Sequence, residues 1–184
     1  MIPDAVRNAA LESVVGEVET HVAEAGWDQP AQLFALVETD ALLAAEPQLA
    51  ATMGIVGGNP GALTPIAQDE LGEGPLDEAL ARIEFGEQVL GVVLAHEVVV
   101  LPPSAEAALD AELEGSDGLE NAHAHPEARD VRMVVGVLRG GGQAAVLRLR
   151  GAGGEPDDRV TGPDLAPGLV AALAETLVPG GRSL

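Results

Sequence analysis

The sequence predicts an α+β fold: a mainly antiparallel sheet of about four to five strands, with the N- and C-terminal helices packed on one face of it. Three observations predict it. Apolar residues recur at three- and four-residue spacing near both ends of the chain, as the buried stripe of a helix does. A β-branched run at Val89–Leu101 lies between those ends and has the density of a buried strand. Residues 129–150 hold two further strand-like runs around Gly140-Gly141-Gly142, the pattern of one hairpin.

The elements follow in order. Residues 4–25 form an amphipathic helix with Leu11, Val14, Val15, Val18 and Val22 on its stripe, and with Glu12, Glu17, Glu19 and Glu24 largely off it. Pro3 suits its start and Gly26 the left-handed residue past its end. Trp27 is then placed to close that end against Val22. Leu33–Val37 is a short buried strand, and Thr39 or Asp40 caps a short helix that stops before Pro47. Gly54–Gly61 is a loop. Leu63–Gln68 suits an edge strand, because Pro65 has no donor for a ladder. Residues 75–84 read as a helix with Leu76, Leu80 and Ile83 inward.

Pro102-Pro103 stops the strand at Val89–Leu101, and Ser104 caps a helix through about Leu113. Asp117-Gly118-Leu119-Glu120 opens another helix with capping-box spacing, and Pro126 ends it. The hairpin Arg129–Arg139 and Gln143–Arg150 comes next. Gly151–Asp158 is an acidic linker, and Asp164 caps a last helix with Leu165, Leu169, Leu173 and Leu177 inward. The chain thus reads as one domain over residues 1–184, with mobile loops near 54–61 and 151–158.

The hairpin carries the most informative side chains. Five of the nine arginines fall within it. A loop at Gly140–Gly142 pairs Arg139 with Gln143, which sets Arg132 opposite Arg150 and Val134 opposite Arg148. Val131, Met133, Val135 and Val137 then share the other face with Ala145, Leu147 and Leu149. Opposed like charges cost about 0.2–1 kcal/mol unless something neutralises them. The chain's own carboxylates can do so. The sharper expectation is that Arg132, Arg148 and Arg150 hold an anion or an acidic partner segment.

Composition narrows the function classes. Thirty acidic residues against nine arginines and no lysine leave a formal net charge of −21 over 184 residues. Such a chain repels nucleic-acid phosphates and anionic membrane surfaces, and favours a cationic partner segment. High net charge also serves solubility. With no cysteine there is no disulfide, thiolate nucleophile or sulfur-bound metal. The N-terminus lacks the charged and apolar regions of a signal peptide, and no run is long enough for a membrane span. These readings predict a soluble cytoplasmic protein without membrane insertion.

Catalytic signatures are scarce. His123-Ala124-His125 has no third metal ligand set by spacing. His96 and Glu97 are strand neighbours and point to opposite faces, so they make no dyad. His21 lies on the acidic side of the first helix. No phosphate loop, dinucleotide fingerprint or nucleophile elbow is present.

The segments His21–Val37 (HVAEAGWDQPAQLFALV), Val131–Leu138 (VRMVVGVL) and Thr161–Leu177 (TGPDLAPGLVAALAETL) resemble an actinobacterial family of small acidic proteins of unknown function. The resemblance runs over most of the chain. GWDQP and TGPDL are its most specific parts, and Gly54–Gly61 is longer than the family pattern. It implies no activity, cofactor or catalytic residue. The element order is also similar to that of small secretion-chaperone folds, a likeness of fold alone. The expectation is therefore a non-catalytic binding or adaptor protein with a protein partner and no cofactor. The alternatives are a hydrolase-like enzyme using His96, His123 and His125 with Glu97, Glu120 and Asp130, or a homo-oligomeric scaffold.

Overall fold

The computed structural model describes residues 2–57, 59–100 and 128–178. Along the chain lie α1 (Asp4–Glu24), β1 (Gln32–Glu38), α2 (Thr39–Ala45), α3 (Pro47–Thr52), β2 (Leu63–Ala67) and α4 (Leu76–Ala81). They are followed by β3 (Gly91–Val100), β4 (Arg129–Leu138), β5 (Gln143–Leu149), β6 (Asp158–Gly162) and α5 (Pro167–Thr176). The strands form one antiparallel sheet in the order β2-β1-β3-β4-β5-β6. The helices expected at Ser104–Leu113 and after Asp117 lie outside the described residues.

The α+β class and the antiparallel sheet match the sequence reading, and β2 with its Pro65 is an edge strand as expected. The sheet has six strands rather than about four to five. The unread strand is β6, which begins where the acidic linker was expected to end. Its first four residues are exposed, so it has no apolar alternation to read, and its ladder with β5 defines it.

The terminal helices lie on opposite faces of the sheet, which corrects the expected one-sided arrangement. Leu11, Val14, Val15, Val18 and Val22 of α1 pack on Phe34, Leu36, Val93, Ala95, Val134 and Val146. Leu173 and Leu177, together with Leu80 of α4, pack on Leu33, Ala35, Val92, Leu94, Val135 and Val137. Neighbouring strand residues such as Val134 and Val135 thus enter different cores, because successive side chains point to opposite faces. The unbroken apolar runs VVLA in β3 and VVGVL in β4 are the signal of strands covered on both sides. Each fully buried Val or Leu contributes about 1.5–3 kcal/mol through burial.

Gly136 sets how closely α1 approaches. A Cβ there would lie 2.5 Å from Val15 Cγ2 and 3.0 Å from Leu11 Cδ1. The helix therefore sits where any larger residue would stand.

The β4–β5 hairpin forms, with its register displaced from the expected one. Arg132 pairs with Arg148, and Val137 with Gln143. The loop is Arg139–Gly141, closed by the Leu138 N–H donating to the Gly142 carbonyl at 3.0 Å. A shift of two residues leaves every side chain on its expected face. Arg139 is the first residue of that loop. Its guanidinium donates to the carbonyls of Val89 (3.1 Å), Phe85 (3.2 Å), Gly86 (3.0 Å) and Leu177. It thereby binds the end of α5 and the approach to β3 to the end of β4.

Two expected caps are absent. No side chain caps α2 or α5. The Thr39 hydroxyl instead shares a hydrogen bond with Thr64 across β1 and β2 at 3.0 Å, and Asp164 accepts from the Gln143 amide at 2.8 Å.

Candidate functional site

The expected arginine surface is in large part an interior. Arg132, Val134 and Arg148 do share a sheet face, but it is the face that α1 covers. Beyond the end of α1, Gly26–Gln29 folds across that face.

Gly26 takes φ +86° and Asp28 φ +65°, so the chain turns sharply at the helix end. Gln29 secures the turn: its side-chain amide donates to the Val22 carbonyl at 2.8 Å and the Gly26 carbonyl at 2.7 Å. The turn sets the Trp27 ring against two guanidiniums, with Arg132 at 4.6 Å and Arg150 at 5.6 Å from its centroid. Its indole N–H donates to Asp157 at 3.2 Å. Trp27 thus joins the end of α1 to Arg132 of β4, to Arg150 just past β5 and to Asp157 of the β5–β6 connection.

Arg132 is 1% exposed. It donates to Glu97 Oε1 at 2.7 Å and to the Gly26 carbonyl. Glu97 Oε2 accepts the Asp28 and Gln29 backbone N–H groups at 2.9 and 3.2 Å. Both carboxylate oxygens are thereby committed, one to β4 and one to the turn. Of Arg132's donors, Nε is buried without an acceptor among the described residues.

A second set of charges lies under α1. Glu19 is 0% exposed, although its sequence position seemed to lie off the apolar stripe. Arg148 donates to both its oxygens, with Nη2 at 3.1 Å from Oε2, and Arg159 Nε donates to Oε2 at 3.2 Å. Burial pushes the Glu19 carboxyl up. The hydrogen bond and charge of Arg148, then those of Arg159, outweigh burial and hold it below its ordinary value. Arg148 is raised by its bond to Glu19 against the opposing effect of burial. The spacing Val15-Glu19-Val22 is the signal that could have placed Glu19 on the stripe.

The three expected binding residues therefore do not form one open cationic surface. Arg132 is enclosed, while Arg148 is 22% and Arg150 42% exposed. Each has a carboxylate of the same chain: Glu97 for Arg132, Glu19 for Arg148, and Asp130 at 3.1 Å for Arg150. An incoming anion would have to displace one of them.

The dispersed histidine site does not assemble among the described residues. His96 lies on the α5 side of β3 and Glu97 on the α1 side. Burial holds the His96 imidazole below its ordinary pKa, partly offset by Glu97. Asp130 is held by Arg150. His123, His125 and Glu120 lie outside the described residues, and among the described ones no three His, Asp or Glu side chains are grouped to hold a metal ion. No helix among them is long and apolar enough to cross a membrane.

Among known proteins, a family model described as PPA1309-like protein matches residues 11–178, from the stripe of α1 to the end of α5. No curated protein and no solved structure matches the chain.

Proposed function

We propose, for a chain that belongs to the PPA1309-like protein family, a non-catalytic role as a binding or adaptor protein whose partner presents a basic segment. The observation that carries this reading is how the fold uses its cations. Arg132 and Arg148 neutralise carboxylates beneath α1 and the Gly26–Gln29 turn, and Arg139 binds main-chain carbonyls. They take up positive charge inside a chain of net charge −21, and the surface left to meet a partner is acidic. The carboxylates best placed for acid–base work, Glu97 and Glu19, are occupied by hydrogen bonds from guanidiniums and, at Glu97, from backbone amides.

The carboxylate surface supports electrostatic attraction and orientation of a basic partner. An actinobacterial origin, suggested by the GWDQP and TGPDL segments, belongs to the same proposal. The test is affinity capture with the immobilised full chain from a lysate of its source organism, eluted with salt. Raising ionic strength from about 0.1 M to about 1 M cuts the screening length from about 10 Å to about 3 Å. The expected result is a reproducible partner with a basic segment, released by salt. Retention indifferent to salt, or no reproducible partner, would refute the role.

A further inference from the structure

The two edges of the sheet differ in a way that the register makes explicit. On the β2 edge, the Gln68 N–H donates to Leu33 and the Thr39 N–H to Ala62, both at 2.9 Å. Even-numbered β2 residues thus face β1 with their main chain, and Leu63, Pro65 and Ala67 face outward. The middle residue of that outward row is a proline without a donor, which blunts the edge.

The β6 edge is open among the described residues. The Arg150 N–H donates to the Asp130 carbonyl at 2.9 Å, so even-numbered β5 residues turn their main chain to β4 and odd-numbered ones to β6. Asp158, Val160 and Gly162 therefore bond to Leu149, Leu147 and Ala145. The N–H and C=O groups of Arg159 and Thr161 point away from the sheet, about 7 Å apart along the strand. No described residue accepts from or donates to them.

Beside this edge, on the α1 side, Arg159 and Thr161 are exposed. A cleft of about 330 Å³ runs between α1 and β6, lined by Glu12, Val15, Val146, Arg159 and Thr161. A shallower one of about 470 Å³ continues along α1 past Glu17, Thr20 and Glu24, and Arg159 borders both. The Arg159 charge is engaged by Glu19, whereas Glu12, Glu17 and Glu24 have no cationic partner among the described residues. The local field is negative.

We infer that β6 is a docking edge, on which an extended, lysine- or arginine-bearing segment of a partner protein adds as a seventh strand with its basic side chains over Glu12, Glu17 and Glu24. This rests on the basic-partner reading and gives it a place. Main-chain bonds to Arg159 and Thr161 supply binding, and the alternate side chains that enter the cleft supply selectivity. A second copy of this chain is disfavoured as occupant, since each copy carries −21.

The probe is a fluorescein-labelled octapeptide of alternating Val and Lys, with a Val–Glu counterpart, read by anisotropy against the full chain. Amide hydrogen exchange at Arg159 and Thr161 is followed in parallel. The expected result is saturable binding of the Lys peptide alone, with slowed exchange at both amides. Thr161→Pro removes an outward N–H, at a position where an edge strand tolerates proline, together with the Thr161 side chain at the cleft. Thr161→Val is the control that keeps the N–H; relative to that control the proline weakens binding about fivefold to tenfold. Wild-type exchange decides the matter if that variant does not fold. Lys-peptide binding that is unmoved by Thr161→Pro, or that leaves both amides unprotected, overturns the edge while leaving the basic-partner role intact. Absence of Lys-peptide binding overturns the edge as well, and salt-sensitive capture then decides the broader role independently. Concentration-dependent protection without peptide, with a dimer in sedimentation, overturns the occupant in favour of a second copy.

Discussion

Replacing Glu19 by Gln tests the charge cluster beneath α1. The carboxylate is 0% exposed and bound by guanidiniums from two strands. Glutamine keeps the volume, removes the charge, and leaves Arg148 and Arg159 to repel each other near the helix. Removing one partner from a buried pair costs about 3–5 kcal/mol. Arg148 is 22% and Arg159 43% exposed, so water reaches both and the loss belongs near the lower end, about 3 kcal/mol. For a chain of this length that is a fall in Tm of about 6–12 °C.

Urea unfolding reads the change directly, because the single tryptophan borders the same network through Asp157. The circular-dichroism transition should coincide with the fluorescence one. The pH dependence gives a second reading. A carboxyl held low in the folded state stabilises fully above its unfolded value of about 4.3, and that contribution is lost as pH falls through the lower folded value. The wild type should therefore lose stability below about pH 4.3, with part of that slope missing in Glu19→Gln. A variant within about 0.5 kcal/mol of wild type, with an unchanged acid limb, would refute the reasoning.

Arg132→Gln should cost about 3 kcal/mol or more, because it strands Glu97 and uncovers one face of Trp27; thermal unfolding measures the loss, and a shifted Trp emission in the folded state reports the opened turn. Gly136→Ala drives a Cβ into Val15 and Leu11 of α1, and should destabilise by about 1–3 kcal/mol in denaturant titration. The His96 imidazole should remain neutral at a pH where a free histidine is half protonated, as followed by NMR titration. Its contribution to stability is present above the unfolded value of about 6.5 and is lost as pH falls through the lowered folded value, so His96→Gln should flatten that limb.

Periodicity made much of the fold legible. The α1 stripe, the runs of β1 and β3, the hairpin and the apolar face of α5 are local patterns set by one side chain every 100° or 180°, and the structure contains them all. The proline that marked β2 as an edge is equally local, since a missing N–H excludes a central position wherever the chain goes. Even the arginine-bearing face of the hairpin was assigned correctly by alternation, despite a register two residues away.

What only the tertiary structure decided is which groups meet. Glu19 and Arg148 are 129 residues apart, and Trp27 and Asp157 are 130 apart. Nothing in the local pattern couples such pairs. Their meeting depends on α1 and α5 taking opposite faces of the sheet, and that depends on both faces of β3 and β4 being apolar. β6 had no apolar alternation of its own to announce it, because an exposed strand is ordered by its neighbour's hydrogen bonds rather than by its side chains. Burial pattern is written residue by residue along a chain, whereas charge pairing and edge exposure are properties of the assembled sheet.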